Sequence, residues 1–593
     1  MKKFKIKFLA SIALMMISFV SVAQVSTEIL PADIGYYIKF LASDSLKGRK
    51  PGTAEDVVAA IFIRDGFKNS GLQLLGENGF QNFEIVADIV LGDGNSMALE
   101  GMDLQVSKDF IPLSFSSSAR LNTSVVFAGY GFNIRTDSLQ WNDYEGIDAK
   151  GKWVMIFRAD PEPDKANSAF ASHADLRSKV TLAKDKGAAG VIFVTPADFE
   201  KEDILIKLDY DKSPAHSGIP VINITRATAD KILESMNYTV ADLEATMKAN
   251  KQPVSFALPV VIDVNTDVVR KKVTASNVVG MVEGKDKEHF IVIGAHYDHL
   301  GFGGPGSGSR VTEEHAIHNG ADDNASGVAG VLELAGKLAA EKDKLNLSIL
   351  FIAFSGEEMG LLGSKEFTKN PLVPLKNIKA MINLDMIGRL ENETKGLNIG
   401  GTGTSVETDT ILSIVSAASK LKIAKSPDGY GPSDHAAFYS ENIPVFFFTT
   451  GAHDDYHTPA DDYEKINLKG EKEVIDFAYN LVKELESRNC NLTFKESGSK
   501  QNVRYGRNMK VTLGIIPDMV SSENNGLRID GTKKGGPAES AGLLKGDRII
   551  SINGNAVTNI YDYMTRLGDL KPGDRANVEV ARGEQKLIFI VQL

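Results

Sequence analysis

Five short stretches carry residues whose types and spacing could do chemistry: HYDH at 296–299, NGADDNASG at 319–327, SGEE at 355–358, Asp385 after AMINL, and DDYH at 454–457. Seven of the ten histidines fall between positions 296 and 457, so imidazoles and carboxylates crowd into one part of the chain. Carboxylates packed this closely repel one another and protonate unless a cation compensates. Two imidazoles with three or four carboxylates and no thiolate suit zinc, with manganese or cobalt as substitutes. Two ions held close together need a shared ligand. A short aspartate in GADDNASG can offer one oxygen to each, and the small residues Ala321, Ala325, Ser326 and Gly327 let backbone and metals approach.

The elements that must position these groups follow from the pattern around them. From about residue 273 to 488 apolar strand-like runs (HFIVIGA, NLSILFIAF, AMINLD, LNIGG, IPVFFFTT) alternate with helical ones (GVAGVLELAGKLAAE, TDTILSIVSAASKL), which implies a doubly wound sheet. In such sheets ligand-binding groups gather at the carboxyl ends of the strands, and four of the five stretches stand there. Adjacent glutamates are commonly a solvated surface pair. A strand as apolar as SILFIAF is buried, however, so Glu357 and Glu358 stand at a sheet edge. GFGGPGSGSR at 301–310 lacks the Gly-Lys-Ser/Thr ending of a phosphate cradle and reads as a rim loop. His299, His315, His318 and His453 read as polar loop residues, and Asp322 as a turn or capping residue.

The wider chain sets the context. Its 593 residues exceed one core and imply three or four domains. The start, MKKFKIKFLASIALMMISFVSVAQ, joins lysines to a short apolar run and a small-residue site, the pattern of a signal peptide cleaved after Ala23. That run is too short to span a bilayer, and no later stretch could span one. The expected location is periplasmic or secreted. Loss of Lys2, Lys3, Lys5 and Lys7 leaves 62 basic against 77 acidic residues, a net charge of −15, which argues against nucleic acid or an anionic membrane surface as partner. Cys490 is the only cysteine, excluding an internal disulfide and cysteine-ligated zinc.

Six ordered motifs, GAHYDHLG, GADDNASG, FSGEEMGLLGS, NLDMIGR, SDHAAF and YHTPADD, make the region 273–488 resemble the M28 di-zinc peptidases. The resemblance implies that His296 and Asp385 bind one zinc, Glu358 and His457 the other, and that Asp323 bridges both. It implies that Asp298 orients His296 and that the Asp323-Asn324 peptide bond is cis. Glu357 would be the general base acting on a metal-bridging water or hydroxide, and Tyr456 a phenolic donor to the tetrahedral oxyanion. Asp434 and His435 stand either as helix-capping residues or as supports and substrate contacts. The implied activity is removal of N-terminal residues from peptides with a free N-terminus. A glutaminyl-cyclase-like acyl transferase or a non-catalytic binding protein are the alternatives, and the intact ligand set with Glu357 speaks against both.

Residues 116–262, through VVFAGYGFN, DYEGIDAKGKWVMIFRADP, KVTLAKDKGAAGVIFVT and IPVINIT, resemble a protease-associated (PA) domain. The segment before it, with LASDSLKGRKPGT, resembles the N-terminal part that such peptidases pack onto the catalytic sheet. The last region resembles a PDZ domain through VTLGIIPD and GGPAESAGLLKGDRIISINGNAV. Leu513, Gly514, Ile515 and Ile516 would form its carboxylate-binding loop, and a peptide C-terminus its ligand. The expected fold class is α/β: a doubly wound mixed-sheet catalytic domain of the zinc-peptidase type, an inserted PA domain and a β-rich C-terminal PDZ domain. The expected boundaries are a signal peptide at 1–23, the N-terminal part of the peptidase domain at 24–115, the PA insert at 116–262, the catalytic domain at 263–490, a linker at 491–507 and the PDZ domain at 508–593.

Overall fold

The computed structural model describes residues 28–99, 102–135, 139–165, 168–208, 217–304, 306–313, 315–497, 511–517, 525–532, 536–557, 563, 566–567 and 570–593. The expected signal peptide and most of the expected linker lie outside these residues.

Strands of the catalytic region are nearly all apolar because both of their faces are covered. Leu347–Phe354 is buried at every position, and Ile378–Leu384 at all but one. Such strands pair as a parallel sheet between helical layers. Asp286–His296 lies between Leu347–Phe354 and Ile378–Leu384, parallel to both, and Val445–Thr449 continues the parallel set beyond Ile378–Leu384. Val268–Val282 closes one side antiparallel, and Gly396–Gly400 meets Val445–Thr449 antiparallel on the other. The register pairs His296 with Phe354, Gly294 with Asn383 and Leu384 with Phe448. The carboxyl ends of four parallel strands therefore finish at one edge.

Helices Pro31–Leu41, Ala54–Asn69, Gly327–Ala340 and Leu468–Ser487 cover one face through a single apolar core that joins Ile34, Ile38 and Phe67 to Val331, Phe351 and Phe477. Leu362–Lys369 and His435–Ser440 cover the other face through Phe367, Phe438 and Tyr439. The N-terminal helices thus belong to the catalytic core, although more than 150 residues separate them from its other helices.

The intervening chain forms a separate eight-stranded sheet with its own cores. Ser96–Leu99 pairs with residues 262–265 of Ser255–Thr266, and Phe110–Pro112 with Val221–Ile224. Strands ahead of residue 116, where the sequence patterning places the start of the insert, are therefore part of this sheet. Phe80–Leu91 and Val268–Val282 pair along eleven positions where the chain leaves and returns to the catalytic sheet. The C-terminal region is a third unit, an antiparallel sheet of short strands with its own core around Ile529, Ile549 and Val578. Among the described residues no helix is long and apolar enough to cross a membrane.

Gly327 starts the helix that backs the GADDNASG turn, and a Cβ there would overlap the Leu384 carbonyl oxygen and the Asn324 side chain. Gly327→Ala is expected to cost about 1–3 kcal/mol through overpacking, read as a fall in thermal midpoint relative to wild type. An unchanged midpoint would contradict this packing.

Candidate active site

Each strand end delivers an imidazole or a carboxylate to the same edge. His296 is the last residue of Asp286–His296; Glu357 and Glu358 follow Leu347–Phe354; Asp385 follows Ile378–Leu384; and His457 stands in the loop after Val445–Thr449. Asp323 comes from the turn before Gly327–Ala340, where the Asp323-Asn324 peptide bond is cis.

The distances converge on Asp323. Its Oδ1 lies 3.3 Å from His296 Nε2, and its Oδ2 lies 3.1 Å from His457 Nε2. Asp385 Oδ1 is 3.6 Å from His296 Nε2, and Glu358 Oε2 is 3.2 Å from His457 Nε2. Glu357 sits at the first imidazole, 4.0 Å from its Nε2. All six sequence-predicted metal and base residues are thus brought together.

The far side of each ring decides what these contacts can be. His296 Nδ1 faces the backbone oxygen of Asp298 at 3.2 Å, and His457 Nδ1 faces that of Gly308 at 3.0 Å. A backbone oxygen only accepts, so each Nδ1 carries the proton, which leaves Nε2 as a lone pair aimed at carboxylates unless the ring is cationic. Carbonyl-anchored imidazoles of this kind are the usual support for a metal-bound histidine. Without a metal, the neighbouring carboxylates favour the imidazolium form of both rings. Burial works against charge on His296, but Glu357 and Asp385 outweigh it and raise its pKa well above the ordinary value. His457 is raised likewise, against burial, by Glu358 and Asp323. Burial would raise Asp323, but the hydrogen bonds from His296 and His457 hold it well below the usual carboxylate range. Glu358 is lowered, against burial, mainly by His457.

Two sets of ligand atoms lie close enough to share an ion: His296, Asp323 and Asp385 in one, and His299, Asp323 and Glu358 in the other. Nitrogen and carboxylate donors in this mixture fit a zinc-type cation. Asp323 belongs to both sets.

The remaining expected residues fall close by, with differences in what they touch. The Asp298 carboxylate accepts from the backbone N–H groups of Glu357 (3.1 Å) and Glu358 (3.3 Å), and lies 3.8 Å from His296 Nδ1. It thereby holds the SGEE turn as well as facing the imidazole. Burial pushes Asp298 up to about 6 and Asp434 to about 7, and raises Glu357 well above the ordinary range, with Glu358 and Asp434 adding to the effect on Glu357. The Tyr456 ring stacks on His457 with centroids 3.9 Å apart, and burial raises its phenol pKa, helped by Asp323 and Glu358. Asp434 is fully buried. His435 stacks flat on Phe447, and burial lowers it to about 3, so it is a neutral ring. In the C-terminal unit, Leu513 is buried and its carbonyl accepts from Ala538 N–H. Gly514 has φ +69°, and Ile515 and Ile516 open the strand Ile515–Pro517.

Three features escaped the sequence reading. His299 stands in the loop after Asp286–His296 but is buried there, with Nδ1 2.8 Å from Glu358 Oε1. The rim loop is built into the site: Gly308 anchors His457, and Arg310 N–H donates to the His457 carbonyl. Asp461 is fully buried, and its Oδ2 accepts from the N–H groups of Asp322 (2.9 Å) and Asp323 (3.0 Å). The position of Asp461 inside YHTPADD was the only available signal for it. Asp322 receives His453 Nε2 at 3.2 Å and Gly388 N–H at 2.7 Å, so both residues act in holding the turn.

Residues 277–482 match the family model for peptidase family M28, residues 122–232 that for the PA domain, and residues 511–593 that for the PDZ domain. The region 277–482 thus carries a peptidase family M28 domain, and the chain is a metallopeptidase. Aminopeptidase YwaD of Bacillus subtilis is 26% identical to this metallopeptidase over 456 residues, which is 74% of this chain and 81% of that protein. Among solved structures, the aminopeptidase from Aneurinibacillus sp. strain AM-1 aligns over 80% of this chain and 97% of its own, at 22% identity and a TM-score of 0.46. BSAP, a zinc aminopeptidase from Bacillus subtilis, aligns over the same shares at 21% identity and a TM-score of 0.43.

Removing the Asp461 carboxylate strands two buried N–H donors on the turn that carries Asp323. Asp461→Ala is expected to destabilise this metallopeptidase by about 2–4 kcal/mol, at about 1–3 kcal/mol for each unsatisfied group, and to reduce its bound metal. Thermal unfolding together with elemental analysis checks both, and a variant with wild-type metal content would count against the assignment.

Proposed function

We propose that this M28 peptidase is an exported aminopeptidase that holds two zinc ions and cleaves N-terminal residues from peptides, with Glu357 as general base. The observation that carries the proposal is that the two oxygens of Asp323 face two different anchored imidazoles. His296 and Asp385 would hold one ion, Glu358 and His457 the other, and Asp323 would be shared. The aminopeptidase name of the Bacillus subtilis relative supports the choice of reaction, and the nitrogen and carboxylate donors that of the metal. The lysine-and-apolar start of the chain supports export to the periplasm or beyond. Manganese or cobalt would satisfy the same donors.

Zinc, when bound, polarises a scissile carbonyl and makes water a better acid. The protein supplies the rest. Glu357 projects from a turn whose N–H groups are tied to Asp298, so its carboxylate is held beside the first imidazole. From there it takes a proton from the attacking water and returns it to the departing amine. Burial favours the protonated form in which it gives that proton back. Tyr456, stacked on His457, offers a phenol to the oxyanion. The surrounding carboxylates favour a substrate carrying a free ammonium. Asp434 and His435 support this wall from the helix His435–Ser440. The PDZ unit would hold a peptide C-terminus at Leu513, Gly514, Ile515 and Ile516, adding the peptide as a strand.

The test is a panel of aminoacyl-amide and N-blocked substrates with wild type and Glu357→Gln. Unblocked substrates alone should be cleaved, and the variant should lose about 10²–10⁴-fold in kcat with zinc content unchanged. Equal cleavage of blocked substrates would rule out the aminopeptidase reading. Chelator treatment should abolish activity, with two equivalents of zinc needed for full recovery. Full recovery with one equivalent would refute the paired site.

A further inference from the structure

Arg49, in the LKGRKPGT segment, is 1% exposed, an unusual fate for a charged residue. Among the described residues it has no carboxylate partner within salt-bridge distance. Its guanidinium instead donates to backbone oxygens from three parts of the chain. Nε reaches the Tyr297 carbonyl at 2.8 Å, Nη1 the carbonyls of Leu41 and Asn319 (2.6 Å for Asn319), and Nη2 that of Gly320 at 3.1 Å. Tyr297 stands between His296 and Asp298, and Gly320 stands three residues before Asp323. One side chain therefore ties together the two loops that supply the first imidazole and the shared aspartate.

The backbone at Arg49 makes the same connection. Lys47, Gly48 and Arg49 all have positive φ, of 44°, 71° and 47°. Two of the three bear side chains in a region that such residues rarely adopt, so surrounding contacts must hold them there. His299 N–H donates to the Arg49 carbonyl, Gly301 N–H to that of Gly48, and His318 N–H to that of Gly301. A Cβ on Gly48 would overlap the carbonyl oxygens of His318 and Gly301. The segment is wedged between the loops, with no room for a bulkier turn.

Arg49 also brings charge. Burial lowers its pKa only to about 10, opposed by Asp298, Asp323, Asp461 and Glu358, so it stays cationic at neutral pH. A buried cation held by four hydrogen bonds to carbonyls offsets part of the repulsion among those carboxylates before any metal arrives.

We propose that Arg49 is a positioning residue for the metal centre: by spanning the Tyr297, Asn319 and Gly320 carbonyls it sets the separation of His296 from Asp323 and so pre-assembles the site for zinc. The inference rests on the two-zinc reading. It assigns the N-terminal segment, far from the ligands in sequence, a role in metal affinity as well as in packing. Lysine cannot replace arginine there, since one ammonium on a flexible stem cannot span diverging carbonyls as a planar fork does.

The test uses the full-length protein and measures zinc affinity by competition with a chromophoric chelator, alongside thermal unfolding of zinc-free and zinc-loaded forms. Arg49→Met is expected to bind zinc roughly 10- to 100-fold more weakly, the usual cost of losing a ligand's outer support, with Arg49→Lys between it and wild type. Added methylguanidinium should recover part of the affinity of Arg49→Ala. If Arg49→Met does not fold, Arg49→Lys decides on the same measurements. Variants within twofold of wild type in zinc affinity, whatever their thermal midpoints, would show a purely structural role and overturn this inference alone. A wild type that binds no zinc would overturn the two-zinc reading and this inference with it.

Discussion

The structure is organised around an electrostatic conflict. Asp323, Glu357, Glu358 and Asp385 are brought to one edge of a sheet, around two imidazoles whose outer nitrogens are already committed to carbonyl oxygens. Removing several carboxylates from water costs several kcal/mol each unless positive charge accompanies them. In the protein alone that charge can come from imidazolium and from Arg49. Two divalent ions, as proposed, would meet the same need more fully, at lone pairs that the carbonyl anchors have already aimed.

The scaffold is shaped by this need for convergence without freedom of movement. Parallel strands finish in register, which places their first loop residues within reach of one another. The helix behind the site begins Gly327-Val328-Ala329-Gly330 because its first turn lies against the strand leading to Asp385, where even a methyl group at Gly327 collides. Second loops then restrain the first: Asp461 holds the amides of Asp322 and Asp323, Gly308 orients His457, and Asp298 holds the glutamate turn. His457 itself has φ +54°, a rarely populated conformation kept in place by these contacts.

The other units have independent cores and need not share this constraint. The PA insert leaves and rejoins the catalytic sheet through the paired strands Phe80–Leu91 and Val268–Val282, so its removal point is also a structural element of the sheet. Its own edge recruits Ser96–Leu99 from what reads locally as the preceding segment. That pairing partner lies more than 150 residues away and leaves no local trace, which is why patterning alone puts the insert's start at 116.

Much of the fold and site was legible in the sequence, for a local physical reason. Strand identity follows from unbroken apolar runs, the edge from what comes directly after each run, and the cation from the number of acids beside His296 and His457. The first two depend on residues within about ten positions of one another, and the third on residue types counted across the five stretches. Tertiary structure alone decided the remainder. His299 looks like any loop histidine until the sheet buries it against Glu358; Gly308 lies in a glycine tract without chemistry of its own; and Arg49 lies some 250 residues from the loops it joins. Backbone carbonyls are present at every position, so which of them will meet a buried guanidinium or imidazole has no signature in residue type and is set only when distant segments pack.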